Sequence, residues 1–184
     1  MEGKLIVIAI GGNSLIEDSK HVTVASQYDA AKKTAHHIAR LVEAGNRVVI
    51  AHGNGPQVGY ILRRAEIAST ELHSVPLDSC VADTQGAIGY QLQKALDNEF
   101  KALKIKKNVA TVVTQVEVSD SDPSFKKPTK PIGSFMSEEV AKEHERKDGW
   151  SVVEDAGRGW RRVVASPKPR SIIELETIKC LIDN

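Results

Sequence analysis

With 184 residues the chain has room for one domain, or a domain with an appendage, and for a genuine apolar core. Hydrophobic residues make up 41% and charged residues 27%, and the formal net charge is +1, so no global field draws the chain to nucleic acid or to an anionic membrane. Two cysteines, Cys80 and Cys180, argue against a disulfide framework or a zinc knuckle; no apolar run reaches the ~18 residues of a membrane span, Met1-Glu2-Gly3-Lys4 has no signal-peptide pattern, and the expected compartment is the cytoplasm.

Leu5 to Ile10 form an unbroken apolar run, which predicts a strand covered on both faces, as in parallel sheets. It breaks into Gly11-Gly12-Asn13-Ser14. Ser26 with Asp29 reads as a capping box, followed by one apolar helical face of Tyr28, Ala31, Ala35, Ile38 and Val42, with Gly45 as the stop. Arg47 to Ala51 is the next strand, so strand, helix and strand make a βαβ unit. This strand in turn breaks into His52-Gly53-Asn54-Gly55-Pro56-Gln57-Val58-Gly59. Pro56 suits a first helical turn, opening a helix over roughly 56–70 with Val58, Ile61, Leu62 and Ala65 inward.

Asp78 is the expected cap of a further helix carrying Val81, Gln85, Ile88, Leu92, Ala95 and Leu96, on which Ala82, Gly86 and Gly89 permit close approach. Asn108 to Val118 reads as a third long strand. From Ser119 the character changes. A turn cluster, Ser119 to Pro123, leads into a basic stretch and then a predicted hairpin, with strands near 150–154 and 160–164 flanking Asp155-Ala156-Gly157-Arg158-Gly159. The chain returns through Ser166-Pro167, and Ser171 with Glu174 reads as the capping box of a last helix bearing Ile178 and Leu181. In an alternating α/β chain such a helix normally leads to another strand, so the expectation is of a cut end.

Glycines at the end of a buried strand let backbone N–H groups close on an oxyanion, and a following helix N-terminus adds its dipole. Each glycine turn alone is also an ordinary strand-to-helix connection; two of them, each followed by an asparagine, favour a shared anion site. The spacing Gly53, Gly55, Gly59 is not that of a dinucleotide fingerprint, and no Walker loop or nucleophile elbow is present. No histidine pair has metal-ligand spacing, so no metal site is expected. Lys130 lies between Pro128 and Pro131, which suits a fixed cation for a phosphoryl group but equally a solvated loop lysine. Alternation puts Arg161 and Val163 on one face of the hairpin and Arg162 and Val164 on the other.

Four segments in order, Gly11-Gly12-Asn13, His52 to Gly59, Pro128-Thr129-Lys130-Pro131-Ile132-Gly133 and Glu154 to Val164, resemble carbamate kinases of the amino acid kinase superfamily, over their N-terminal three-fifths. The resemblance implies an α/β fold: a mostly parallel sheet sandwiched by helices, truncated, with a small protruding lid. It divides the chain into an acceptor-side core (1–118), a lid subdomain with a β-hairpin (119–165) and a return segment with the last helix (166–184). The C-terminal nucleotide-binding half would be absent, leaving a sheet edge bare. Gly11 and Gly12 would offer N–H groups to phosphoryl oxygens, with Asn13 supporting that turn. Gly53, Asn54 and Gly55 would hold carbamate or the carbonyl end of carbamoyl phosphate. Lys130 would neutralise charge from the lid, and Ser166 would be a wall residue near the hinge.

The implied reaction is reversible phosphoryl transfer between ATP and carbamate, part of arginine metabolism, with Mg2+ on the nucleotide phosphates and the ATP site largely outside this chain. Taken alone, the 184-residue chain is expected to be inactive. The alternative is a non-catalytic truncated paralogue that binds small anions or acts as a scaffold. The implied partners are carbamate or carbamoyl phosphate, ATP or ADP, and a second copy of the chain in a homodimer to which the helix near 79–102 contributes; neither nucleic acid nor a membrane is implied.

Overall fold

A computed structural model describes residues 3–16 and 20–183. Contacts divide the chain into two units, one made of Met1–Val58, Pro76–Val113 and Leu175–Asn184, the other of Gly59–Val75 and Thr114–Glu174.

In the first unit, β1 (Leu5–Ile10) and β2 (Arg47–His52) run parallel, in register from Leu5 opposite Arg47 to Ile10 opposite His52. Between them, α1 (Val24–Glu43) supplies the crossover, and α3 (Leu77–Ala102) lies against it. Ala31, Ala35 and Ala39 are fully buried, so the two helices meet across a seam of methyl groups. Ile38, Ile88, Leu92, Ala95, Leu96 and Phe100 complete the core, with Ile8, Val48 and Ile50 resting on it from the sheet. The expected apolar face of α1 is observed. Its cap lies one residue triplet earlier than the capping box suggests: Thr23 is the N-cap, its hydroxyl accepting from the Ser26 amide at 3.2 Å. Gly45 does end the helix, in the left-handed region at φ 89°.

Several expectations for this unit are corrected. β1 is not covered on both faces: its burial alternates, and Leu5 and Val7 stay 47% and 67% exposed on the side away from the helices. The helix α3 starts at Leu77 with Pro76 as an N-cap that offers no side-chain bond, so Asp78 sits inside the first turn and does not cap it. Its buried stripe is Cys80, Thr84, Ile88 and Leu92, which leaves Val81 and Gln85 only half-buried. Burial pushes the Cys80 thiol up, away from a reactive thiolate. Of the strand expected over Asn108 to Val118, only Val116–Glu117 joins a ladder, and Asn108 to Val113 in this unit pairs with no strand among the described residues. Its side chains are nevertheless placed: Val109 packs on the core and Thr111 donates to Gln93 Oε1 at 3.0 Å. From this unit's last helix, α5 (Leu175–Asp183), Asp183 pairs with Arg47 at 3.3 Å.

α2 (Gln57–Ile67) begins in the first unit and continues into the second, and follows a cis Gly55–Pro56 peptide; of the inward residues expected on it, Leu62 is buried and Val58, Ile61 and Ala65 are half-buried. In the second unit, β3 (Val116–Glu117) pairs antiparallel with β7 (Ser171–Ile172). A three-stranded antiparallel sheet has the order β4 (Lys130–Met136), β6 (Trp160–Val164), β5 (Ser151–Glu154). The hairpin is as expected, with Ala156, Gly157 and Gly159 at positive φ in its loop. α4 (Glu138–Asp148) is capped by Ser137, ends on Gly149, and buries Ala141. The Ser171–Glu174 capping box is not formed. Glu174 instead accepts from the Gln115 amide at 2.7 Å and from Gln115 Nε2 at 2.9 Å, while the Ser171 hydroxyl donates to Glu117. A carboxylate that satisfies a neighbouring strand is not available to a helix end.

The hairpin loop is tied by Asp155, which accepts from Arg158 Nη2 at 3.0 Å and Arg161 Nη1 at 3.1 Å; Arg161 Nη2 also donates to the Gly133 carbonyl at 3.1 Å. The Arg161 and then the Arg158 guanidinium hold the Asp155 carboxyl below its ordinary range, and the Gln115 amides do the same for Glu174. A depressed folded-state value means stability that is present above about pH 4 and is lost as pH falls through the lowered values. Both tryptophans, Trp150 and Trp160, lie in this unit and report on it. The fluorescence-detected urea midpoint is therefore expected to be level above pH 5 and to fall below pH 4, with Asp155→Asn plus Glu174→Gln flattening the profile. An unaltered slope in the double variant overturns this assignment.

Candidate anion site

Both glycine turns open at the same end of neighbouring parallel strands. The register sets Ile10 beside His52, so Gly11 and Gly53 leave the sheet side by side, and the Gly53 amide donates to the Ile10 carbonyl at 2.8 Å. This bond extends the ladder one rung past β2 and removes the Gly53 N–H from the donors the second turn can offer. The C-terminal ends of parallel strands are where open α/β sheets bind ligands.

After Gly11 the chain makes a 3-10 turn over Gly12–Leu15, closed by the Ser14 amide on the Gly11 carbonyl at 2.9 Å. Leu15, 1% exposed, plugs this turn into the core. The Asn13 side chain lies outside the described residues. After Gly53, the Asn54 carbonyl receives the Val58 amide at 2.9 Å and thereby starts α2. The Asn54 carboxamide donates from Nδ2 to Thr84 Oγ1 on α3 at 3.1 Å. Gly53 and Gly55 are exposed and Asn54 is half-buried, so the rim of the turn faces solvent while its asparagine is held from beneath.

Gly11, Gly12, Gly53, Asn54 and Gly55 thus all belong to the first unit. Lys130 and Ser166 belong to the second, where Lys130 opens β4 opposite Val164, two residues before Ser166; both are exposed. Arg161 of the hairpin faces the loop tie described above, and Arg162 stacks its guanidinium 4.6 Å from the Trp150 ring centre. Among the described residues no group of His, Cys, Asp and Glu is arranged to hold a metal ion, and no helix is long and apolar enough to cross a membrane.

Sequence reasoning missed Thr84, Gln27 and Gln57, all buried polar residues around the second turn. The signal was present in the helical spacing: Thr84 sits four residues after Cys80 and four before Ile88, a polar side chain on an apolar stripe.

The amino acid kinase family model matches residues 4–166. The chain is 48% identical over 183 residues to the carbamate kinase of Lentilactobacillus hilgardii and 53% identical over 183 residues to the carbamate kinase-like protein YqeA of Escherichia coli. Those alignments take in 98% of this chain and 57% of each relative. Giardia lamblia carbamate kinase bound to AMP-PNP superposes with a TM-score of 0.91 at 42% identity, over 99% of this chain and 58% of that one. The chain therefore spans somewhat over half the length of the relatives it matches. With a family model matched over most of its length and a fold shared with solved carbamate kinases, the chain is a member of the amino acid kinase family.

Proposed function

We propose that this chain supplies the carbamate side of a carbamate kinase site, for reversible phosphoryl transfer between ATP and carbamate. The observation that carries the reading is the register of β1 and β2, which sets Gly11-Gly12 beside Gly53-Asn54-Gly55. The carbamate kinase names of its relatives favour this chemistry over that of other members of the family. N–H groups of the first turn receive the phosphoryl oxygens. In the second turn the Asn54 side chain and the Asn54 and Gly55 amides take the carbamoyl end, since the Gly53 amide already serves the ladder. Lys130, carried on the lid over residues 119–165, compensates charge as the phosphoryl group moves. Such transfer runs through a loose in-line transition state, so positioning and charge stabilisation suffice and carbamate needs no general base.

Mg2+ enters as part of the nucleotide complex. No acidic cluster among the described residues suits it, and no step here is assigned to it. We place the reaction in the cytoplasm, in arginine breakdown, and read the exposed side of α3 as a homodimer face; light scattering showing only monomer at micromolar concentration overturns the last point. A second reading is a non-catalytic chain with the same anion pocket. Titrating the chain with carbamoyl phosphate by calorimetry tests the shared site, with saturable binding expected and no binding refuting both readings. Adding Mg-ADP and measuring ATP then tests the second reading, because ATP formation excludes the non-catalytic chain.

A further inference from the structure

We propose that Thr84 is a positioning residue that sets which way the Asn54 carboxamide points, an inference that rests on the site reading given above. Thr84 is fully buried, and its hydroxyl donates to the Val81 carbonyl of its own helix at 2.6 Å. A hydroxyl has one hydrogen, so towards Asn54 this oxygen can only accept. The Asn54 nitrogen, and not its oxygen, must then face Thr84, and the bond at 3.1 Å has that sense. Turning the amide over would set two acceptors against each other in a buried place, which costs about as much as an unmade hydrogen bond.

Fixing one N–H of Asn54 in this way leaves its second N–H and its carbonyl oxygen with defined directions. That pair, a donor and an acceptor on one planar group, is complementary to the carbonyl oxygen and the amino group of a carbamoyl unit. Inorganic phosphate offers no such amide-like edge. The turn is braced from its other side by the buried Gln57. The Gln57 carboxamide faces the loop carbonyls and, with nitrogen on that side, donates to Asn54 O and Gly55 O at 3.2 and 3.3 Å. The reverse orientation, which reaches Gln27 Oε1 at 3.5 Å, sets oxygen against those carbonyls and is the poorer assignment. Gln27 itself donates from Nε2 to the Val22 carbonyl at 2.9 Å. The backbone of the turn is thus held by Gln57 and its side chain by Thr84.

The test compares Thr84→Val, which keeps the shape and removes the hydroxyl, with Thr84→Ser, which keeps the hydroxyl. In the full chain, the NMR side-chain amide resonances of Asn54 are expected to shift and lose order in Thr84→Val and to return in Thr84→Ser. Carbamoyl phosphate affinity is expected to fall about tenfold in Thr84→Val, the scale of one hydrogen bond, and to recover within about twofold in Thr84→Ser. Inorganic phosphate affinity is expected to change less than about twofold in either, a split that a general loss of packing does not produce. Unperturbed Asn54 resonances in Thr84→Val overturn the proposal, as does an equal loss for both anions. A parent chain that binds no carbamoyl phosphate instead fails the site reading, and the Asn54 resonances then decide whether Thr84 holds the amide.

Discussion

Replacing Ile88 by alanine is expected to lower the unfolding free energy of the first unit by about 3 kcal/mol, within the range found for deleting a large buried aliphatic side chain. Ile88 is 1% exposed and belongs to the cluster formed by α1, α3 and the ends of the sheet. The cost depends on how far the surroundings can close over the lost atoms, and here they have little room to move. Ala31, Ala35 and Ala39 already bring the two helices to close quarters, so no side chain on that seam is long enough to fill the space. Ile88→Val removes one methylene and is expected to cost about 1 kcal/mol. Urea denaturation followed by helical circular dichroism measures both. A loss below about 1 kcal/mol for the alanine variant would show that the seam does collapse.

Lys130→Met is expected to weaken carbamoyl phosphate binding by about ten- to a hundredfold, the scale of one hydrogen bond to a charged group. The side chain is exposed at the first residue of β4, with Pro131 next to it limiting the backbone. Lys127→Met is the comparison, because Lys127 is also an exposed lysine of the same loop but stands outside the ladder. A lysine that only contributes to the local field would lose no more than its neighbour, and the loss would vanish in high salt. Equal affinities in the two variants would return Lys130 to the status of a solvated surface residue.

The repeating apolar positions made α1 and α3 legible, since a stripe at three- and four-residue steps admits few alternatives. Both glycine turns were legible as well, and so was the hairpin, because Gly157 and Gly159 mark a loop that needs positive φ. Caps were read less well. Thr23, Ser26 and Asp29 are all capable of capping, and the choice among them falls to where the core begins to bury Gln27 and Ala30. Ser171 and Glu174 have the right spacing for a capping box, but Gln115, distant in sequence, competes for the same carboxylate. The β-branched run after Asn108 has strand character, yet a ladder needs a neighbour, and neighbours are not written in a local window. The same limit hid the support of the candidate site: Asn54 and Thr84 are thirty positions apart, and only the packing of α3 brings them together.

Gly89 carries a consequence of its own. A side chain there would have its Cβ 2.2 Å from the Thr111 methyl, so the absence of one forms a notch in α3 that this methyl occupies. The residues after Asn108 thus take their longitudinal alignment from a helix groove in place of a row of amide bonds. Any side chain at this position would claim the space of the Thr111 methyl, so the seat of Thr111 on the helix would have to change.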